Sequence, residues 1–264
     1  MISLPPIQKE PPLRGTRRVL LTLSYDGTAY AGWQRQANAV AVQQRVEEAL
    51  FRLTGEKTAV TGASRTDAGV HALGQRAHFD TQSRIPADKF SFALNTCLPR
   101  DIRVLAGQEV SPSFHARFDA KGKRYTYRIH NAPHASALYR DLCVHVPQKL
   151  DVPLMRQSLL ALPGTHDFAA FQAAGGTAKT TVRTLEMVRL SQDGCDLTLT
   201  VRGNAFLYNM VRIIAGTMLD IGMGRAEPGA FARALETGDR LSLGVTAPAS
   251  GLELSEVFYN LNEA

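Results

Sequence analysis

Residues 62–72 place one arginine and one carboxylate among small residues: Gly62-Ala63-Ser64-Arg65-Thr66-Asp67-Ala68-Gly69-Val70-His71-Ala72. The glycines at both ends allow tight or positive-φ backbone geometry and let another molecule approach closely. In extended backbone, Arg65 and Asp67 project to the same side, and an arginine beside an aspartate favours the ionised carboxylate that a nucleophile needs. A structural Arg–Asp pair in a glycine-rich turn would show the same spacing.

Hydrophobic periodicity on both sides of this stretch predicts an alternation of strands and helices. A strand is expected over residues 19–25, and a helix is expected over residues 42–53 with Gly55 as its C-terminal cap. The other expected elements are strands over residues 75–79, 102–105 and 124–129, helices over residues 87–95, 153–162 and 207–221, and a hairpin of residues 185–190 and 197–202 around Asp193-Gly194. Because hairpins imply antiparallel pairing, the chain is expected to have an α+β fold. Its two related ferredoxin-like, or RRM-like, subdomains would form a largely antiparallel mixed sheet with flanking helices.

The charge of the chain favours an anionic polymer, RNA or DNA, as its partner. The formal net charge is +6, and 23 of the 30 basic residues are arginines. The planar guanidinium grips phosphate and stacks on bases, so this composition suits nucleic-acid binding. A codon bias toward arginine would give the same composition.

Several other classes of protein are not expected from this sequence. Cys97, Cys143 and Cys195 are far apart, which argues against a disulfide framework or zinc knuckle and suits a reducing cytoplasm. No signal peptide is expected, and Arg212 and Asp220 interrupt the longest apolar segment, so no membrane span is predicted.

Neither a metal site nor a nucleotide cofactor is expected. His130 and His134 are four residues apart, but Pro133 between them breaks a helix. No Walker A or GxGxxG segment occurs.

A second group of candidate residues lies on the strand predicted around Tyr125. Lys123, Tyr125 and Tyr127 would share one face of this strand, and Arg124 and Arg128 would lie on the other. Basic groups neutralise phosphates and aromatic rings stack on unpaired bases, although a half-buried strand with solvated charges has the same pattern.

Arg212 is a third candidate, because apolar residues surround it in the sequence. A buried arginine needs a carboxylate or phosphate partner, unless it reaches water at the edge of its helix.

Three regions are predicted from this organisation. Residues 1–16, rich in proline, are expected to be a flexible tail. Residues 17–110 would form an N-terminal α+β subdomain that carries residues 62–72, the Asp67 loop. Residues 111–264 would form a C-terminal α+β subdomain that carries the Tyr125 strand and the Arg212 helix.

Taken together, these motifs resemble the TruA family of tRNA pseudouridine synthases from about residue 17 to residue 260. Ser64 stands where the family often has glycine. The resemblance rests on Tyr30-Ala31-Gly32-Trp33-Gln34-Arg35-Gln36, Arg65-Thr66-Asp67-Ala68-Gly69-Val70-His71-Ala72, Phe114-His115-Ala116-Arg117-Phe118-Asp119-Ala120, Lys123-Arg124-Tyr125-Thr126-Tyr127-Arg128, His166-Asp167-Phe168, Phe206-Leu207-Tyr208-Asn209-Met210-Val211-Arg212 and Gly251-Leu252-Glu253-Leu254.

The resemblance implies a pseudouridine synthase fold and an isomerase that acts on uridines at positions 38, 39 and 40, in the anticodon stem–loop of tRNA. It implies no metal and no cofactor, and a homodimer that tRNA spans. Asp67 matches the essential aspartate of the family, Arg212 matches the arginine that pairs with it, and Tyr125 matches the tyrosine that stacks on the target uracil. Arg65 matches the arginine linked to extrusion of the nucleotide. Arg124 and Arg128 are expected to bind substrate as well.

Two other functions are compatible with the residues alone. A non-catalytic RNA-binding module or chaperone would use the same basic and aromatic surface, but it would need no particular carboxylate. A metal-dependent hydrolase would lose its activity on addition of a chelator. In either RNA case, binding is expected to weaken steeply with salt, because phosphate contacts dominate affinity.

Overall fold

The ten strands found in residues 15–259, the part of the chain described in this computed structural model, join into one sheet. Of the predicted tail, only Gly15 and Thr16 fall within the described residues. The strands are β1 (Arg17–Tyr25), β2 (Thr61–Gly62), β3 (His71–Thr81), β4 (Ile102–Val110), β5 (Gly122–His130), β6 (Val144–His145), β7 (Gly164–Asp167), β8 (Val182–Asp193), β9 (Asp196–Gly203) and β10 (Leu252–Phe258).

The sheet is largely antiparallel, which confirms the predicted fold class. Its order is β4-β1-β3-β10-β5-β9-β8-β7, with β2 paired to β3 and β6 paired to β5. Only the β10–β3 and β5–β6 pairs are parallel among the strands described. Strand β10 therefore joins the two halves of the chain, because it lies between β3 of the first half and β5 of the second. The buried residues of both halves form one continuous core.

Five α-helices accompany the sheet within residues 15–259. They are α1 (Val42–Thr54), α2 (Phe90–Cys97), α3 (Val152–Ser158), α4 (Met210–Gly222) and α5 (Ala230–Thr237). Gly55 caps α1 in the left-handed conformation, at φ 73°, as predicted. Helix α2 ends before Leu98, whose extended backbone is the conformation that the following Pro99 favours. In this part of the chain, no helix combines the length and apolar character needed to cross a membrane.

The predicted boundaries were wrong at three helices. A single 3-10 turn (Ala87–Lys89) precedes α2, and another (Leu159–Ala161) follows α3, where single helices were predicted. Helix α4 begins at Met210 and not at Leu207. Asn209 has φ 60°, in the left-handed region, so the right-handed helix cannot extend through it toward the N-terminus.

The two faces of the central strands differ in character. Residues directly opposite each other on paired strands share a face, so Tyr125, Leu254 and Val201 lie together, and all three are buried. The opposite face carries partly exposed ion pairs, among them Arg124 with Glu256 at 3.0 Å. The buried face is the one that carries the candidate site.

Candidate active site

The Asp67 loop is held by the segment that follows β1. The backbone N–H of Trp33 donates to the carbonyl oxygen of Thr66 at 3.0 Å, and the N–H of Gly69 donates to the carbonyl oxygen of Tyr30 at 3.2 Å. Gly32 has φ 90°, and a Cβ atom at this position would lie 2.4 Å from the Thr66 carbonyl oxygen. Only glycine fits there, which gives a physical reason for the glycine before Trp33.

Buried polar side chains fix the same loop from the sheet. The Tyr25 and Thr66 hydroxyls are 2.7 Å apart. The fully buried Gln75 side chain binds the Ser64 backbone twice: its Nε2 donates to the carbonyl oxygen at 2.7 Å, and its Oε1 accepts from the N–H at 3.2 Å. The carboxylate of Asp67 therefore projects from a backbone that has little freedom to move.

Arg212 is the ion-pair partner of Asp67. Its Nη1 atom lies 3.5 Å from Oδ2 of Asp67, and the two side chains are 18% and 24% exposed. The guanidinium is held in place by two further bonds, because Nε donates to the Ala247 carbonyl oxygen at 2.8 Å and Nη1 donates to Asn209 Oδ1 at 2.8 Å. The predicted partner for a buried arginine in this helix is thus a carboxylate.

Burial raises the pKa of Asp67, and Arg212 lowers it by charge pairing and hydrogen bonding, with a net rise above the ordinary aspartate value. The sequence-based expectation that a neighbouring arginine holds the carboxylate ionised is therefore only partly met. Arg212 opposes the effect of burial without overcoming it.

Asn209 orients Arg212 from a backbone conformation that most residues avoid. At φ 60° asparagine is tolerated, whereas alanine pays for the left-handed region. We expect Asn209→Ala to lower the free energy of unfolding by about 1–2 kcal/mol, and to lower activity because the contact with Arg212 is lost. Asn209→Gly keeps the backbone permissive, so it should lose activity with much less loss of stability. Denaturant unfolding and initial rates measured on both variants test this, and equal losses of stability would contradict it.

Tyr125 lies on the buried face of β5, close enough to Asp67 for the charge of that carboxylate to act on its hydroxyl. Its ring meets Phe206 edge-to-face with centroids 5.0 Å apart, and the side chain is 8% exposed. Burial raises the pKa of Tyr125 to about 12; the adjacent Ser64 hydroxyl lowers it, and the charge of Asp67 raises it. The phenol is therefore protonated at neutral pH. Tyr127, on the same face, is fully buried and donates to the Pro248 carbonyl oxygen at 2.9 Å, which gives it a structural role.

An open cavity of about 320 Å³ reaches Asp67. Its volume is in the range of small-ligand pockets. Gln34 and Tyr208 line this cavity but were not predicted as site residues, although both occur in the motifs that carry the resemblance. The lining consists of Ala31, Gln34, Arg35, Gln36, Thr66, Asp67, Ala68 and Tyr208. A larger cavity of about 520 Å³, which includes Arg45, Arg52 and Pro99, contains none of the predicted site residues.

The predicted substrate-binding arginines do not join this cluster. Arg65 is exposed, and the structure shows no ion pair between it and Asp67, so the expected pairing of these two neighbours was wrong. Residues 63–70 are not extended strand; Val70 N–H donates to the Asp67 carbonyl oxygen at 3.1 Å in a turn. Arg124 and Arg128 lie on the face opposite Tyr125, and Arg128 pairs with Glu253 at 3.3 Å.

Within residues 15–259, no group of three or more His, Cys, Asp or Glu side chains is arranged to hold a metal ion. The three cysteines are free thiols. The chemical groups that the structure brings together are thus one carboxylate, one guanidinium and one phenol.

Comparison with known proteins identifies the family of the chain. A family model described as tRNA pseudouridine synthase matches residues 22–119 and 160–260. A protein of Acetivibrio thermocellus named tRNA pseudouridine synthase A is 50% identical over 243 residues, which cover 92% of this chain and 100% of the relative. Proteins of the same name from Ruminiclostridium cellulolyticum and Pelobacter propionicus are 49% and 47% identical, again over 92% of this chain and all of each relative. The chain therefore belongs to the tRNA pseudouridine synthase A family.

Proposed function

We propose that the protein isomerises uridine to pseudouridine at positions 38, 39 and 40, in the anticodon stem–loop of tRNA, with Asp67 as the nucleophile. The observation that carries this proposal is the Asp67 carboxylate at an open cavity, paired with Arg212 at 3.5 Å. Family membership supports tRNA as the substrate, and the resemblance described above supplies the positions.

The reaction requires no net change in composition. The bond between ribose C1′ and uracil N1 breaks, the base turns, and C1′ bonds to C5. The proton on C5 leaves and N1 gains one. Asp67 forms the covalent intermediate, either at C6 of the ring or at C1′ of the ribose, and Arg212 supports its ionised form. Because the pKa of Tyr125 is raised, the phenol would act on the C5 proton only after it had lost its own proton.

A uridine inside a stem must leave the stack before its ring or ribose can reach Asp67. Extrusion costs a few kcal/mol, and stacking on an aromatic ring returns about 1–3 kcal/mol per base. Tyr125 provides this ring beside the carboxylate. Arg65 is exposed on the same loop and can occupy the space that the base vacates. The remaining cost is met by contacts with phosphates.

The roles of ring and hydroxyl at Tyr125 can be separated. We expect Tyr125→Phe to bind tRNA within about threefold of wild type, and Tyr125→Ala to bind about tenfold more weakly, because only alanine removes the stacking surface. Equilibrium binding at fixed salt measures this. Turnover by the phenylalanine variant then reports the contribution of the hydroxyl, and equally tight binding by the alanine variant would refute the stacking role.

The proposed function is tested by incubating the purified protein with unmodified tRNA, without added cofactor, and mapping pseudouridine along the RNA. Pseudouridine on the 3′ side of the anticodon stem–loop is the expected result. Binding of the RNA without any product would favour the non-catalytic RNA-binding module.

We further propose that the protein acts in the cytoplasm as a homodimer across which tRNA lies. The homodimer follows from the family resemblance, and the free cysteines suit a reducing compartment. Sedimentation of the protein with and without tRNA tests the oligomeric state, and a protein that sediments as a monomer in both samples would contradict the proposal.

A further inference from the structure

We propose that Arg117 and Lys123, together with Arg65, bind one backbone phosphate of the RNA beside the Asp67 loop. This inference rests on the proposed function, because it takes RNA as the ligand. It assigns a role to the segment from Phe114 to Ala120, which the catalytic site leaves without one. The phosphate contact would position the extruded nucleotide, and none of the three basic side chains would take part in the chemistry.

The three cations converge on the Asp67 loop. Lys123 lies on the same face of β5 as Tyr125, and its Nζ donates to the carbonyl oxygen of Ala63 at 3.0 Å. Arg117 lies close enough to Arg65 and to Lys123 for its positive charge to interact with the charge of each. Lysine has three N–H donors, and this backbone bond uses one of them.

Within residues 15–259, none of these three side chains forms an ion pair with a carboxylate. Two arginines on the opposite face of β5 differ, since Arg124 and Arg128 are each paired with a glutamate. Clustered cations without a counter-charge repel one another, and a phosphate would remove that repulsion. Burial and the charge of Arg117 lower the pKa of Lys123 to about 8, which agrees with the missing anion.

Arg117 is presented by a tightly bonded turn. The Nδ1 atom of His115 accepts from the backbone N–H groups of Arg117 and Phe118 at 3.1 and 3.3 Å. The N–H of Ala116 donates to Nδ1 of His78 at 3.1 Å, and the Tyr259 hydroxyl donates to the Ala116 carbonyl oxygen. Because the backbone of this turn is fixed, only the Arg117 side chain has to be ordered when it binds an anion, which favours recognition of phosphate.

The contact can be tested by pairing a change in the protein with a change in the RNA. A synthetic anticodon stem–loop RNA would carry one neutral methylphosphonate at a time along the backbone near the target uridine. At one position we expect the methylphosphonate to weaken binding of the wild type about tenfold and binding of Arg117→Gln less than about twofold, because the contact is already lost. Arg117→Lys should restore part of the sensitivity.

The matched control is Arg189→Gln, which removes an exposed arginine on β8 that lies on the face opposite Tyr125. It should bind every RNA in the series as the wild type does.

For Arg117→Gln, the slope of log affinity against log salt should be shallower by about 0.7–0.9. Equal methylphosphonate effects in wild type and Arg117→Gln at every position would overturn the proposal. Absence of pseudouridine from the wild-type reaction would instead refute the proposed function, and binding would still decide the phosphate contact.

Discussion

Asp67→Asn is expected to lower the rate of pseudouridine formation about 10⁴-fold or more, while the fold and tRNA binding remain. Asparagine has nearly the same shape, but its amide cannot supply the attacking carboxylate oxygen. Release of tritium from tRNA labelled at C5 of uridine measures the rate under single-turnover conditions. The same preparation should bind tRNA within about threefold of wild type, since Asp67 makes no attractive contact with phosphate.

Stability provides an internal check on this variant. The pKa of Asp67 is raised in the folded protein, so the folded state binds the proton more tightly than the unfolded chain does. The ionised carboxylate therefore costs folding free energy at neutral pH, and the neutral amide should not lower the melting temperature. Asp193→Asn at the end of β8 is the matched control, because it makes the same change at an exposed aspartate in the β8–β9 hairpin, outside the site. Turnover by Asp67→Asn near that of Asp193→Asn would refute the nucleophile assignment.

Arg212→Gln is expected to lower activity about 10²-fold and to move the acid limb of the rate–pH profile to higher pH. Arg212 lowers the pKa of Asp67, so its removal leaves burial unopposed and the pKa rises further. Less carboxylate is then ionised at any given pH below the new value. Single-turnover rates measured across acidic and neutral pH give the position of the limb.

Arg212→Lys should recover part of the shift, because the positive charge remains. It should not recover full activity, since lysine cannot reproduce the bonds from Nε to Ala247 and from Nη1 to Asn209. Arg189→Gln controls for loss of one positive charge elsewhere. An acid limb that stays in place in Arg212→Gln would show that Arg212 does not set the ionisation of Asp67.

Strong local patterns predicted most of the elements. The apolar stripe of α1 and its glycine cap, the strand around Tyr125, and the β8–β9 hairpin all occur in the structure, although the hairpin turn is formed by Gly194 and Cys195 and not by Asp193 and Gly194. These features depend on residues near one another in sequence, where periodicity and turn chemistry act directly. The start of α4 was missed because the left-handed conformation of Asn209 leaves no mark on the apolar stripe.

The partner of Asp67 shows where local reasoning fails. The rule that residues two apart in extended backbone share a side does not apply here, because residues 63–70 belong to no strand: Trp33 binds the carbonyl oxygen of Thr66, and Arg65 is exposed without an ion pair to Asp67. The place of β10 between β3 and β5 likewise depends on long-range pairing that no short pattern encodes. The family resemblance supplied the pairing of Arg212 with Asp67, which the structure shows.

The role of Asp67 is tested by mapping pseudouridine in one unmodified tRNA after parallel incubation with wild type and Asp67→Asn at equal occupancy. We expect pseudouridine at positions 38, 39 or 40 wherever uridine occurs there in the wild-type reaction, and unmodified uridine throughout the Asp67→Asn reaction. Equal modification by both proteins, or none by the wild type, would contradict this expectation.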